Sequence, residues 1–246
     1  MSKIEWTNET DNPITVKGGG HWCRKISEGC TNCYAEAIST GNRFNFASGL
    51  TYTGKAPELE LNRKILANWA RKRVPKRRFV CSMTDWCGDW IPSQWQIDML
   101  EAMAKATTQT FMLLTKRETT MLAVLDVLGY APKNVWFGVS VENQGAAFKR
   151  LDAIVNAKKD FNANTFVSFE PLLGEIHIGE AAKYIDLAIV GAESGKGARP
   201  MDEDWVRSLR DEVKAANKAF LYKQRSVNGR KISLPELDGK VWSELP

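Results

Sequence analysis

Histidine is nearly absent from this chain. Only His21 and His177 occur among 246 residues, which leaves histidine-based acid–base chemistry few candidates. Cysteine is sparse too, five in all, odd in number and clustered rather than spread, which argues against a secreted disulfide framework. No apolar run approaches membrane-spanning length, and the opening Met1-Ser2-Lys3-Ile4-Glu5-Trp6 lacks the apolar stretch of a signal peptide. A soluble protein of a reducing cytoplasm is expected, with no membrane partner. Charge of one sign is also modest, with a formal net of +5. The run Gly191-Ala192-Glu193-Ser194-Gly195-Lys196-Gly197 is not a Walker sequence, because no Gly-Lys-Ser/Thr closes it at the right spacing. Its backbone N–H groups could still meet a carboxylate or phosphate.

What is present is concentrated. Three cysteines fall within the stretch Cys23-Arg24-Lys25-Ile26-Ser27-Glu28-Gly29-Cys30-Thr31-Asn32-Cys33-Tyr34, spaced Cys-x6-Cys-x2-Cys. A two-residue gap lets Cys30 and Cys33 point their sulfurs into one small volume, and six residues are enough to bring Cys23 back to it. Three thiolates of this kind suit a zinc ion completed by another ligand, or an iron–sulfur cluster with one iron left open. His21 could complete a Cys3His zinc site or be an ordinary loop residue. Cys81 reads as a core residue within a strand. Cys87, between Trp86 and Trp90, reads as a loop thiol, with a fourth-ligand or reactive role as the alternative.

Along the chain, residues 1–22 read as irregular, with one possible strand before the cysteines, and residues 41–56 as a loop. A helix is expected from Pro57 to about Arg73, with Leu61, Ile65, Leu66 and Trp69 on one face. Apolar runs then alternate with helical segments. Strands are expected at 79–83, 110–114, 135–141, 165–169, 187–191 and 220–222. Helices are expected near 93–106, 118–128, 144–157 and 202–217. Strands apolar on both faces and separated by helices indicate a parallel sheet. The fold class is α/β, a full or partial (β/α) TIM-type barrel of six to seven parallel strands, with a doubly wound open sheet as the alternative. With no second core or linker, residues 1–246 read as one domain, with a C-terminal tail at 225–246.

Each apolar strand ends in polar residues, and in a parallel α/β fold those ends share a rim where ligands bind. Asp85, Lys116, Glu170 and Glu193 are the candidate catalytic groups. Ser82, Glu142, Glu193 and Lys223 are candidates for holding a cofactor, and Cys23, Cys30 and Cys33 are the candidate metal ligands. Opposing charges there could pair when the site is empty and then receive a zwitterionic ligand. The basic run Arg71-Lys72-Arg73-Val74-Pro75-Lys76-Arg77-Arg78 could meet phosphates or be a solvated connection between helix and strand. Nine tryptophans exceed what a core of this size needs, so some are expected to line a cleft.

The combination of Asn12-Pro13 with Ser27-Glu28-Gly29-Cys30-Thr31-Asn32-Cys33-Tyr34-Ala35-Glu36 resembles a phage and bacterial three-cysteine family of uncharacterised proteins. The similarity continues through Ser82-Met83-Thr84-Asp85, Leu113–Arg117, Val135–Asn143, Ser168–Gly174, Ile189–Gly195 and Ala198–Met201. That family in turn looks like a divergent branch of the radical SAM enzymes. The resemblance implies a radical SAM-like partial (β/α) barrel in which Cys23, Cys30 and Cys33 hold a [4Fe–4S] cluster and S-adenosylmethionine is cleaved to a 5′-deoxyadenosyl radical. The usual spacing there is Cys-x3-Cys-x2-Cys with an aromatic before the last cysteine. This chain has six residues in the first gap and Asn32 before Cys33. The Thr84-Asp85 element is similar to a motif of the spore photoproduct lyase branch, which acts on DNA. The phage context of the resemblance, the basic 71–78 stretch and the tryptophans make a nucleic-acid base or nucleotide the expected substrate class, acted on in the host cytoplasm if the chain is phage-encoded. A reductant and a partner protein are further expectations. Two other readings stand beside this one. One is a barrel that modifies or exchanges a base without radicals and carries a structural zinc. The other is a non-catalytic zinc-stabilised protein that binds nucleic acid or a host component.

Overall fold

The computed structural model describes residues 4–41, 47–195 and 197–245. Part of the loop expected at 41–56 and Lys196 of the glycine-rich run lie outside the described residues. The chain forms two compact units, Met1–Trp136 and Phe137–Pro246.

The first unit begins with two short strands, β1 (Glu9–Asp11) and β2 (Ile14–Val16), where the sequence suggested mainly irregular chain. A 3-10 turn (Glu28–Cys30) leads to helix α1 (Tyr34–Thr40). The helix expected from Pro57 is shorter and starts later. Residues Leu59–Leu61 form strand β3, paired antiparallel to β2 with Ile14 opposite Leu61. Only then does α2 (Arg63–Trp69) begin, because the Asn62 side chain accepts hydrogen bonds from the Lys64 and Ile65 N–H groups and caps it. Strand β4 (Arg77–Val80) lies between β1 and the next strand and is parallel to both.

The expected strand at 79–83 is displaced toward the N-terminus, since Cys81 takes a left-handed φ of 62° that ends the extended backbone. Cys81 therefore sits just past the strand rather than inside it. Helix α3 (Ser93–Lys105) buries Gln96, Met99, Leu100 and Met103, a one-faced stripe that fixes its packing side. Strand β5 (Thr110–Thr115) and helix α4 (Glu118–Leu128) follow; α4 stops at Gly129, whose φ of 77° suits a residue without Cβ. The division between the units falls inside strand β6 (Val135–Ser140).

The second unit continues with α5 (Gln144–Phe161), β7 (Asn164–Phe169), a 3-10 turn (Gly179–Tyr184), β8 (Leu187–Gly191) and α6 (Glu203–Ala215). Strand β9 (Ala219–Val227) is parallel to β8, which is parallel to β7. Helix α5 packs on β7 and α6 on β9. On α6 it is Val206, Leu209 and Val213 that are buried, with Trp205 half-exposed at the margin.

The C-terminal tail forms short strands of its own. Asn228 and Gly229, at φ 50° and 73°, turn β9 back into antiparallel β10 (Arg230–Ser233). Asp238 and Gly239 do the same between β11 (Glu236–Leu237) and β12 (Lys240–Val241). The remaining chain hydrogen-bonds along β9 itself, with Tyr222 N–H donating to the Trp242 carbonyl and Glu244 N–H to that of Phe220. Those contacts cover backbone that would otherwise stand as an open sheet edge. Both units are thus α/β, with parallel strands alternating with helices. Among the described residues no helix is long and apolar enough to cross a membrane.

Candidate functional site

In the first unit Cys33 stands within electrostatic reach of both Cys23 and Cys30. All five cysteines are free thiols; Cys23, Cys30 and Cys33 are partly exposed, whereas Cys81 and Cys87 are buried. Cys23, Cys33 and Trp90 pack against a small apolar cluster of Val16, Trp22, Ala35, Tyr52 and Met83. The Trp22 and Trp90 rings meet edge to face, centroids 5.1 Å apart. Tyr52 is fixed beneath them by its hydroxyl, 2.9 Å from the Met83 carbonyl and 2.9 Å from Ser39 Oγ.

The thiols act on one another electrostatically, Cys33 with both Cys30 and Cys23. Burial pushes the Cys23 thiol up to about 12, and the Asp85 carboxylate adds to the rise; the Asp85 backbone N–H and the Arg117 charge oppose it. Burial also raises Cys33, against the pull of the Glu36 and Ala35 N–H groups and of the Lys116 charge. Lys116 is thereby placed beside the cysteines. Among the described residues no three His, Cys, Asp or Glu side chains are gathered as a single bound metal ion requires.

Asp85 is the hub beside them. Its Oδ1 accepts from Thr115 Oγ1 at 2.6 Å and from the Cys87 N–H at 3.0 Å. Its Oδ2 accepts from the Lys116 N–H at 3.0 Å and from Arg117 Nη1 at 2.8 Å. The loops that follow the neighbouring strands β4 and β5 are joined at this one carboxylate. Ser82 exchanges hydrogen bonds with the Asn12 side chain, and its carbonyl accepts from Tyr34 Oη at 2.6 Å, so it abuts the start of α1.

Cys87, expected on an accessible rim loop, is buried in this network. Burial drives its thiol well above the ordinary range, which makes it an inert core thiol. His21 is also buried, with Nδ1 3.1 Å from the Ile14 carbonyl, and burial lowers its pKa.

The basic run lies at the amino end of β4, opposite Asp85, so it does not line this site. Arg78 is withdrawn from it altogether: buried, it pairs with Glu9 at 2.6 Å and Asp11 at 2.9 Å and donates to Gln109. The tryptophans divide in the same way. Trp6, Trp69 and Trp86 are core, and Trp90 is the one half-exposed beside the cysteines.

In the second unit the predicted carboxylates each meet a cation. Glu142 is buried, and its Oε2 accepts from Arg150 Nη1 of α5 at 2.7 Å, while the same Nη1 also donates to the Ser140 carbonyl. Glu142 is therefore an interior ion pair and not an open cofactor contact. Asn143 caps α5 through the Ala146 N–H. Glu170 Oε1 is 2.8 Å from Lys223 Nζ, and its Oε2 accepts from Ser168 Oγ at 3.0 Å. The carboxylate lies over β8, where a Cβ on Gly191 would stand only 2.5 Å from Glu170 Oε1. Glu193 is gripped by Arg199 through Nη2 at 2.6 Å, Nε at 3.0 Å and the backbone N–H at 2.9 Å. His177 is exposed, between Glu175 and Glu212.

Arg150 and Arg199 were absent from the predicted site and Arg117 stood at its rim without a role, yet each holds one of its carboxylates. Arg117 and Arg199 stood inside the motifs that carried the resemblance, whereas Arg150 gave no signal of its own. A model of the family described as "Protein of unknown function (DUF5131)" matches residues 1–246. Comparison with curated proteins and comparison with solved structures each gave no match.

Proposed function

We propose, for a chain that belongs to the family DUF5131, the role of a radical SAM-type iron–sulfur enzyme with Cys23, Cys30 and Cys33 as the ligands of a [4Fe–4S] cluster. One observation carries this reading: Cys23 and Cys33, both free and partly accessible, pack on one apolar, aromatic-rich cluster, and free Cys30 is close enough to Cys33 for their charges to interact.

The residues present fit the group. A cubane takes each protein thiolate on a separate iron, and three free thiols, of which Cys33 acts on both others, offer that ligand set. The Ala35 and Glu36 N–H groups and the Lys116 charge at Cys33, and the Arg117 charge at Cys23, partly offset the burial that raises those two thiols. When bound, the cluster supplies the electron that cleaves S-adenosylmethionine. The parallel strands followed by helices are read, in the same proposal, as a partial (β/α) barrel of the radical SAM kind.

The protein's own groups divide the remaining work. Cys23 and Cys33 are protonated at neutral pH by their raised pKa values, so loading releases protons and is favoured as pH rises. Lys116 places a cation at Cys33. In the second unit, Lys223 and Glu170 form a pair that a zwitterion can open, its carboxylate going to the ammonium and its amino group to the carboxylate. Glu193 is held by three donors of Arg199, which fixes its carboxylate in one orientation. The basic run does not support a nucleic-acid substrate at this site, since it stands at the far end of β4 with Arg78 buried.

The test is release of 5′-deoxyadenosine from S-adenosylmethionine by protein reconstituted without oxygen and reduced. Release by the wild type and none by Cys30→Ala supports the reading. A cluster-loaded wild type that releases nothing contradicts it.

A further inference from the structure

We infer that Asp85 and Arg117 are a positioning pair that holds Cys23 in place beside Cys30 and Cys33, closing from outside the six-residue gap that separates it from them. The purpose given to the pair rests on the cluster reading above; the geometry stands on the protein alone.

A ligand six residues away from its neighbours is tied to them only by the chain between. Closing a loop of that length costs little more than closing a shorter one, but nothing in the loop fixes where its far end sits. The Cys30 end is fixed locally, by the 3-10 turn in which Cys30 N–H donates to the Ser27 carbonyl. The Cys23 end is fixed by Arg117. Its Nη2 donates to the Arg24 carbonyl at 3.0 Å while its Nη1 binds Asp85 Oδ2 at 2.8 Å. Its guanidinium lies 4.5 Å from the Trp90 ring centroid. The Cys23 sulfur in turn lies 3.8 Å from the same Arg24 carbonyl.

Both side chains of the pair are largely buried, 11% and 9% exposed, so the contact is sheltered from water and salt. Only a guanidinium can meet a carboxylate, a carbonyl and an aromatic face at once; an ammonium on a flexible stem cannot. Asp85 has four donors on its two oxygens and is committed to this work, so it is a positioning residue and not a general base. Further along the gap, Lys25 N–H donates to the Tyr52 carbonyl, and the Arg24 side chain turns outward to Asp89. The gap is thereby pinned at its start and at its end.

The experiment compares the full-length wild type with Arg117→Ala and Arg117→Lys, each prepared free of metal. Iodoacetamide labelling is followed cysteine by cysteine by mass spectrometry, with thermal unfolding recorded alongside. Loss of one charge-assisted hydrogen bond is expected to raise the labelling rate of Cys23 by about tenfold relative to Cys30, with Cys81 and Cys87 still protected. Arg117→Lys is expected to behave like Arg117→Ala, since an ammonium can hold Asp85 or the Arg24 carbonyl but not both. An unchanged Cys23 rate in Arg117→Lys overturns the inference. So does an equal rise at all five thiols in that variant, which would mean general loss of fold. A second arm reconstitutes the same proteins without oxygen and records the paramagnetic signal of the reduced cluster; an altered signal at undiminished thermal stability supports the pair's role. If the wild type takes up no iron, the cluster reading fails by itself, and the labelling arm still decides whether Asp85 and Arg117 hold Cys23.

Discussion

Carboxylates are held differently in the two units, and the difference separates packing from chemistry. In the second unit Glu142, Glu170 and Glu193 each close on a nearby cation, Arg150, Lys223 and Arg199. In the first, the cation that meets Asp85 does not stop there: Arg117 continues to the Arg24 carbonyl and the Trp90 ring, and so to the loop carrying Cys23. Ion pairs of the first sort hold elements together; the second sort passes that hold to a thiol. Within the second unit the pairs also differ among themselves. Glu142 is sealed in the interior, whereas Glu170 and Lys223 are each partly open and share their place over β8 with a glycine.

The largest effect should come from breaking the sealed pair. Arg150→Ala leaves the Glu142 charge buried without its guanidinium and should cost about 3–5 kcal/mol in urea unfolding. Replacing both partners by apolar residues of similar volume should recover most of that loss, which would mark the pair as structural.

Gly191→Ala is the milder break. The new Cβ must push aside the end of the Glu170 side chain and part it from Lys223, at a cost of about 1 kcal/mol in the same assay. Acid sharpens the contrast further. Burial alone would raise the Asp186 carboxyl, but Lys158, the Thr165 N–H and Lys218 outweigh it and hold it below its ordinary 3.8. Its contribution to stability is therefore complete above that value and lost as pH falls through the lower folded value. Acid unfolding of Asp186→Asn should show a shallower slope there than the wild type. The smallest change in stability is expected at the cysteines: Cys30→Ala in metal-free protein should unfold within about 0.5 kcal/mol of the wild type, as a partly exposed side chain without packing duties.

Much of the scaffold could be read in the residues. The alternation of apolar runs and one-faced helical stripes located β5, α3, α4, β7 and β8 within a residue or two, since period-2 and period-3.6 patterns are local. The tail was readable and was missed: Asn228-Gly229 and Asp238-Gly239 are the residues that two-residue hairpins demand. The late start of α2 was not readable in this way, because Leu59–Leu61 has an apolar spacing that serves a strand or a helix until β2 claims it. For the site, residue type at the strand ends singled out Glu142, Glu170 and Glu193, each of which the structure pairs with a cation. It could not say which were already matched, because Arg150 lies a helical turn or two inside α5 and declares nothing in sequence. The role of Asp85 changed most: the residue type suggests a base, and its four donors make it a fixed anchor.

The central claim is that Cys23, Cys30 and Cys33 hold an iron–sulfur cluster, and metal analysis of protein reconstituted without oxygen tests it most directly. The expected result is about four irons and four sulfides per chain, falling sharply in Cys30→Ala. Stoichiometric zinc that persists through the same reconstitution, with no sulfide bound, would contradict it.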